Sequence, residues 1–215
     1  MNQKEQSLYI FLSAVFVASL VTAGILASKI ISLWGVFVPA GVLAYSITFT
    51  MTDTICEVWG KERAQSLVRS GFLVLLLVWG LNALAIALPP APFWSNQKAF
   101  SEVLGSTNRI ILASLVAYGI SQTFDLWIYN QLRTLTSSRM LWLRNNVSTL
   151  LSQTLDTVVF ITIAFYGKMP LAPLIMGQLT IKYLIALMDT PLVYLMVYGV
   201  RLRLGRWATT QQGAA

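Results

Sequence analysis

Ser152-Gln153-Thr154-Leu155-Asp156-Thr157 interrupts an apolar run that extends from Val147 to Tyr166. The pattern recurs 31 residues earlier, where Ser121-Gln122-Thr123-Phe124-Asp125 lies inside the apolar run from Ile110 to Leu132. A carboxylate near the centre of a bilayer costs at least about 2.5 to 3.5 kcal/mol, and such residues usually face a bundle interior or a polar cavity. The two Ser-Gln-Thr-x-Asp segments therefore indicate a site inside a membrane protein.

The composition supports this environment. Of the 215 residues, 56% are hydrophobic and 11% are charged, and the mean hydropathy is +0.68. Soluble domains have about 25% charged residues. Most of the chain lies in apolar runs of about 20 residues, the length that crosses a hydrocarbon core of about 30 Å. We therefore expect an all-α membrane protein in which residues 1–215 form a single integral membrane domain in the lipid bilayer.

The apolar runs predict six transmembrane helices, at about residues 8–33, 38–59, 67–88, 107–132, 146–166 and 174–200. Residues 34–41 predict a tight turn or a broken helix start because they contain Pro39 and Gly41. Residues 60–65 predict a charged loop. Residues 93–105 place apolar side chains at near-helical spacing among polar ones, which predicts a helix in the membrane interface, as an anchor or a lid.

The distribution of basic residues predicts the orientation. With six spans, one side of the membrane holds Lys61, Arg63, Arg69, Arg133, Arg139, Arg144, Arg201, Arg203 and Arg206, and the loops of the other side hold Lys98, Arg109 and Lys168. By the positive-inside rule both termini are cytoplasmic, in a multi-pass protein of the cytoplasmic (inner) membrane. The same pattern accounts for the net charge of +7 without direct nucleic-acid binding.

The predicted spans contain more acidic than basic groups. Buried charges are paired, neutralised or matched to a ligand, so one deep lysine leaves several carboxylates to be explained by a cavity or a ligand. The spacing of the polar residues places Gln122 with Asp125, Gln153 with Asp156, and Lys182 with Asp189 on single helical stripes that can line a common cavity. The candidate substrate-binding residues are Gln122, Asp125, Gln153, Asp156, Lys182, Asp53 and Asp189.

A carboxylate beside an amide suits one kind of ligand. A guanine-like edge has adjacent N–H and NH2 donors that a carboxylate can accept, and a carbonyl or ring nitrogen that a glutamine can address. Aromatic rings would stack on the base, and the candidates are Tyr45, Trp127, Tyr183 and Tyr194. Two other interpretations stay open, because Ser121 and Ser152 also suit interhelical hydrogen bonds and Lys182 also suits a structural ion pair.

The sequence favours no catalytic chemistry. It contains no histidine, and its single cysteine, Cys56, excludes an intrachain disulfide framework. We therefore expect no metal site, no cofactor and no catalytic residues. An intramembrane aspartyl enzyme is disfavoured because no spacing brings two aspartates together on one helix.

The chain resembles the queuosine precursor transporters, the YhhQ or vitamin uptake transporter family of six-helix membrane proteins. The residues that carry the resemblance are Thr52-Asp53 and Glu57-Val58-Trp59-Gly60; Ala117-Tyr118, Gln122, Asp125, Asn130 and Leu132-Arg133; Ser148-Thr149, Gln153 and Asp156-Thr157; and Lys182, Thr190-Pro191 and Tyr194. At Glu57 some members carry a basic residue, so no ligand contact is assigned there.

The resemblance implies import of 7-deazaguanine bases, namely 7-cyano-7-deazaguanine and its 7-aminomethyl relative, for making queuosine in transfer RNA. The alternative function is a substrate-binding membrane subunit of an ATP-driven vitamin uptake complex. Such a subunit would rely on a separate ATPase, because the chain has no Gly-x-x-x-x-Gly-Lys-Ser/Thr phosphate loop. A homo-oligomer and proton-coupled transport are further expectations that the sequence leaves open.

Overall fold

The computed structural model describes the backbone of residues 3–135 and 141–204, and their side chains except at 125–126, 129–130, 132–135, 141–146, 148–149 and 186–190. The described chain forms six α-helices and one two-stranded sheet. In chain order these are α1 (Gln3–Leu26), β1 (Ile30–Leu33), β2 (Val36–Pro39), α2 (Gly41–Trp59), α3 (Lys61–Ala87), α4 (Gln97–Leu135), α5 (Leu141–Phe165) and α6 (Leu171–Leu204).

Three of these helices are long and apolar enough to cross a membrane. They cover Gln3–Leu26, Lys61–Ala87 and the Gln97–Phe124 part of α4, and shorter apolar helical stretches cover Leu150–Phe165 and Leu171–Ile185. The protein is therefore mainly helical and passes through a membrane more than once.

The two strands correct the prediction that the first helix continues to residue 33. They pair antiparallel, with Ile30 opposite Pro39 and Leu33 opposite Val36. Trp34 and Gly35 form the turn between them with φ of 48° and 83°. Two consecutive positive φ values suit a two-residue hairpin turn, although a tryptophan adopts such a φ less readily than a glycine. A short apolar run fits a buried strand as well as a helix, which is why the sequence pattern did not separate them.

Two glycines allow the hairpin to pack closely against the helices. A Cβ atom added at Gly177 of α6 would lie 2.9 Å from the carbonyl carbon of Phe37 in β2. At Gly41, the first residue of α2, a Cβ would lie 2.8 Å from the Cβ of Ala27, just beyond the end of α1. The backbones approach so closely at these two positions that neither has room for a side chain.

Two further predicted boundaries are corrected. The charged segment 61–65 is the first turn of α3, and Gly60, with a φ of 92°, alone separates α2 from α3. Residues 97–105 are the start of the continuous 39-residue helix α4 and not a separate interfacial helix. At this end of α4, Trp94 and Phe100 meet edge to face with ring centroids 5.6 Å apart.

Two large apolar clusters lie at opposite ends of the bundle, and a smaller third one, Val38, Val42 and Ile181, packs the hairpin against α2 and α6. The terminal end, where α1 begins and α6 ends, contains a cluster of α1, α2, α3 and α6 residues: Leu12, Phe16, Met51, Ile55, Ala64, Leu67 and Val200. The hairpin end contains a cluster of residues from α4, α5, α6 and the segment after α1: Ala27, Ile110, Ala113, Ile161, Ala164, Phe165 and Leu174. The space between the two clusters positions the site.

Candidate substrate-binding site

A cavity of about 220 Å³ lies between the two clusters, and all six helices contribute to its wall. Pockets for drug-sized ligands have volumes of about 300 to 1,000 Å³. The cavity is smaller than these and suits a ligand of the size of a single nucleobase. The hairpin contributes Pro39 to the wall, next to Gly41 at the start of α2.

Aromatic side chains form much of this wall. Tyr45 and Phe49 of α2 meet edge to face with ring centroids 4.9 Å apart. Tyr118 of α4 and Phe72 of α3 form a tilted pair with centroids 4.2 Å apart. The complete aromatic lining is Phe16, Tyr45, Phe49, Phe72, Tyr118 and Phe160. Aromatic faces on several sides suit a flat ligand that stacks between them.

One ion pair lies in the cavity wall. Lys182 Nζ of α6 is 2.8 Å from Asp156 Oδ2 of α5, and the two side chains are 10% and 23% exposed. The ammonium also donates to Thr157 Oγ1 at 3.0 Å, and that hydroxyl donates to the backbone carbonyl of Gln153 at 3.0 Å. Lys182 and Asp156 are the only charged residues among the described lining residues.

The ion pair retains hydrogen-bonding capacity. A lysine ammonium has three N–H donors, and the bonds to Asp156 and Thr157 use two of them among the described residues. Ser121 Oγ lies 3.4 Å from Asp156 Oδ1 and 3.2 Å from the carbonyl oxygen of Tyr118, so its single proton is shared between two acceptors. A carboxylate oxygen has two lone pairs. The pair can therefore offer one donor and one acceptor, side by side, to a ligand.

Several other polar side chains of the wall are bonded within their own helices. The hydroxyls of Thr48 and Thr52 donate to carbonyls of α2, and that of Ser114 donates to a carbonyl of α4. A hydroxyl that is already bonded to its own backbone contributes little polarity to the cavity. The groups that remain for a ligand are the ion pair, the phenol groups of Tyr45 and Tyr118, and Gln178.

Gln178 lines the cavity one helical turn before Lys182. Its side chain is 9% exposed, and its Oε1 atom accepts no hydrogen bond from the residues that the structure describes. A buried amide oxygen without a partner costs about 1 to 3 kcal/mol. Gln178 is absent from the binding residues that the sequence predicts. Its spacing of four residues from Lys182 was the signal that could have found it.

The structure places the predicted site residues in different surroundings. Asp156 and Lys182 meet in the cavity wall. Gln122, Gln153 and Asp53 are exposed and do not line the cavity, and Asp53 has an interaction partner of its own. Asp125 and Asp189 lie in α4 and α6, and their side chains are outside the described residues. The binding roles of all seven residues stay predictions.

Only one of the four residues predicted to stack on the base lies in the cavity wall. Tyr45 lines the cavity, whereas Trp127, Tyr183 and Tyr194 do not. Trp127 is 54% exposed and stacks on Phe124 with ring centroids 6.0 Å apart. The hydroxyl of Tyr183 lies 3.3 Å from that of Thr154.

Small and hydroxyl residues pack where α4 meets α5. Ala117 and Ser121 of α4 and Ser152 of α5 are buried, and Ser121 Oγ lies 3.4 Å from Asp156 Oδ1 of α5. Small residues let membrane helices approach closely, and their hydroxyls bond across the contact. This packing holds Asp156 beside α4. Among the described residues, no group of three or more acidic or cysteine side chains could hold a metal ion.

The described chain is that of a membrane protein whose apolar helices surround a cavity with aromatic walls and one ion pair. The comparison with known families agrees. The chain belongs to the family described as putative vitamin uptake transporters, whose model matches residues 39–196. The family resemblance of the sequence motifs is confirmed, and this is a family of transporters and not of enzymes.

The curated relatives carry a more specific name. A probable queuosine precursor transporter of Bacillus subtilis is 32% identical over 178 residues, which cover 81% of this chain and 78% of that protein. The queuosine precursor transporter of Escherichia coli is 24% identical over 205 residues, 94% of this chain and 90% of that protein. A probable queuosine precursor transporter of Haemophilus influenzae is 29% identical over 132 residues, 59% of this chain and 51% of that protein. No solved structure matches the chain significantly.

Proposed function

We propose that this protein imports queuosine precursors across the cytoplasmic membrane, chiefly 7-cyano-7-deazaguanine and also its 7-aminomethyl relative. The names of the relatives support the substrate class. The observation that carries the assignment of the site is the Asp156–Lys182 ion pair in the wall of an aromatic cavity. The base binds in this cavity, enclosed by all six helices.

The polar edge of the base matches the ion pair. A guanine-type edge has a carbonyl oxygen next to a ring N–H. The third N–H of Lys182 donates to the carbonyl oxygen, and Asp156 Oδ1 accepts the ring N–H. Tyr45 and Tyr118 then supply stacking surfaces, each worth about 1 to 3 kcal/mol. The two charges of the pair balance each other, so the ligand needs no charge of its own.

The proposed arrangement in the membrane has six spanning helices and both termini in the cytoplasm. The charges of the described residues support it. The terminal end of the bundle holds Lys4, Lys61, Arg63, Arg201 and Arg203, and Arg69 lies about two turns into α3 from the same end. The hairpin end holds Lys29, Lys98, Arg109 and Lys168. The positive-inside rule then favours a cytoplasmic terminal end. Of the other arginines of the prediction, Arg133 and Arg144 have side chains outside the described ones, and Arg139 and Arg206 lie outside the described residues.

Uptake of labelled 7-cyano-7-deazaguanine by cells that lack their own uptake tests the proposal. The wild-type chain restores uptake, and Asp156→Asn abolishes most of it because the amide cannot replace the paired carboxylate. The control is Thr180→Val, an exposed position on α6 whose hydroxyl bonds only to its own helix. Undiminished uptake by a folded Asp156→Asn variant contradicts the assignment of the site.

The same proposal includes transport without a partner ATPase. Purified protein in liposomes accumulates or equilibrates the labelled base when no other chain is present. Transport that requires an added ATPase and ATP would favour the alternative, the membrane subunit of an ATP-driven complex. Loss of transport when the proton gradient is collapsed identifies proton coupling, and its persistence excludes it.

A further inference from the structure

Gln178 is a polar side chain of the cavity wall that the proposed binding mode leaves unused, as are the phenol hydroxyls of Tyr45 and Tyr118. Its side chain is nine-tenths buried in the cavity wall, and Oε1 has no hydrogen-bond donor among the described residues. The terminal amide of a glutamine turns about a soft torsion, so its oxygen can be presented to a ligand at little cost. Gln178 and Lys182 are four residues apart on α6 and so lie on the same face of the helix.

The ion pair alone does not distinguish two kinds of purine-like base. A guanine-type base offers a carbonyl oxygen beside a ring N–H, and an adenine-type base offers a ring nitrogen beside an amino group. Either edge places one acceptor beside one donor, and the donor of Lys182 and the acceptor of Asp156 satisfy both. Discrimination therefore requires a third contact.

The position beyond the donor differs between the two bases. A guanine-type base has an exocyclic 2-amino group next to its ring N–H. In an adenine-type base the donor and the acceptor follow in the opposite order along the edge, so that no amino group lies beyond the donor when both contacts are made. An amino group needs an acceptor when it is buried, and the buried oxygen of Gln178 needs a donor. The two unmet requirements are complementary.

We infer that Gln178 is the specificity-determining residue of this site, and that its side-chain oxygen accepts a hydrogen bond from the 2-amino group of the base. This inference rests on the proposed function, since it assigns one more contact to the same ligand. The site then contacts three adjacent groups of the base. Lys182 donates to the carbonyl oxygen, Asp156 accepts from the ring N–H, and Gln178 accepts from the amino group.

A cycle of two proteins and two ligands tests the inference. The proteins are the wild type and Gln178→Leu, which keeps the size of the side chain and removes its polar atoms. The ligands are 7-cyano-7-deazaguanine and the same molecule without its 2-amino group, and affinity is measured by calorimetry on purified protein. The wild type binds the first ligand about 10- to 100-fold more tightly than the second, the ratio expected for one buried hydrogen bond.

The variant is expected to lose this preference. Gln178→Leu binds both ligands within about 3-fold of each other, and Thr180→Val on the same helix keeps the wild-type ratio. A Gln178→Leu protein that still prefers the 2-amino ligand as strongly as the wild type overturns the inference.

Two other outcomes separate this inference from the function on which it rests. A wild type that binds both ligands equally overturns the role of Gln178 without any variant, so a variant that fails to fold leaves the inference falsifiable. A wild type that binds neither ligand overturns the proposed function itself.

Discussion

Replacement of Lys182 by methionine tests the ion pair most severely, because it leaves a carboxylate in the bundle without its cation. Lys182 is 10% exposed and its Nζ lies 2.8 Å from Asp156 Oδ2. Removal of one partner of a buried ion pair costs about 3 to 5 kcal/mol. We expect the lower end of this range, about 3 kcal/mol, because the Asp156 side chain keeps 23% of its exposure and so some hydration.

The size of the effect can be read from thermal unfolding. In a chain of this length, about 1 kcal/mol corresponds to about 2 to 4 °C in Tm, so Lys182→Met lowers the Tm by about 6 to 12 °C. The double variant Asp156→Asn/Lys182→Met removes both charges. Its free energy of unfolding stays within about 1 kcal/mol of the wild-type value, since no charged partner is left unpaired.

Additive losses of stability would refute this reasoning. If the double variant loses as much unfolding free energy as the two single variants together, the two groups are not energetically coupled and the pair does not hold α5 to α6. The double variant is also expected to lose binding of the base, although it is stable. Recovery of stability without recovery of binding separates the role of the pair in the fold from its role in the site.

The remaining predictions concern single positions. Tyr45→Ala weakens binding of the base by about 5- to 150-fold, the loss of one stacked ring, while Trp127→Ala leaves the affinity unchanged; equal effects on the two affinities would contradict the cavity assignment. Gly177→Val lowers the Tm by more than about 10 °C because its Cβ meets the backbone of β2, whereas Gly119→Ala, where a Cβ has open space, does not lower it; equal Tm values would exclude the close contact. Arg201→Ala removes an exposed ion pair and changes the free energy of unfolding by less than about 1 kcal/mol in denaturant titrations; a larger loss would show that the pair stabilises the terminal end.

The helical part of the fold follows from the sequence. An apolar run of membrane length must satisfy its backbone hydrogen bonds without water, and a helix does so within the run itself. The hairpin does not, since residues 8–33 form one nearly continuous apolar run in which the helix ends without a polar signal. The change at Leu26 depends on tertiary contacts, above all the close approach of Phe37 to Gly177. Such a contact between residues 140 positions apart leaves no local pattern.

The site was predicted in part for a related reason. Asp156 and Lys182 stand out because buried charges need partners, and the structure pairs them. The repeated Gln-Asp spacing also suggested that Gln153 faces the same cavity, since residues three and four apart share a face of a helix. Gln153 shares that face with Asp156 and Thr157 but lies about one turn nearer the start of α5, where it is exposed, while Thr157 is buried. Periodicity gives the face of a helix and not the depth at which the cavity ends. The importance of Gln178 becomes visible only when its surroundings are known.

Thermal unfolding of the purified protein with and without 7-cyano-7-deazaguanine tests the central claim most directly, because a ligand that binds the folded state raises its stability. At a ligand concentration of about 100 times the Kd, the stabilisation is about 2.7 kcal/mol. The proposed site predicts a clear rise in Tm for the wild type with this base, a rise also with guanine because its edge carries the same three groups, none with biotin, and none for Asp156→Asn with any of the three. An equal rise in the wild type and in Asp156→Asn would show that the base binds elsewhere, and no rise in the wild type would contradict binding altogether.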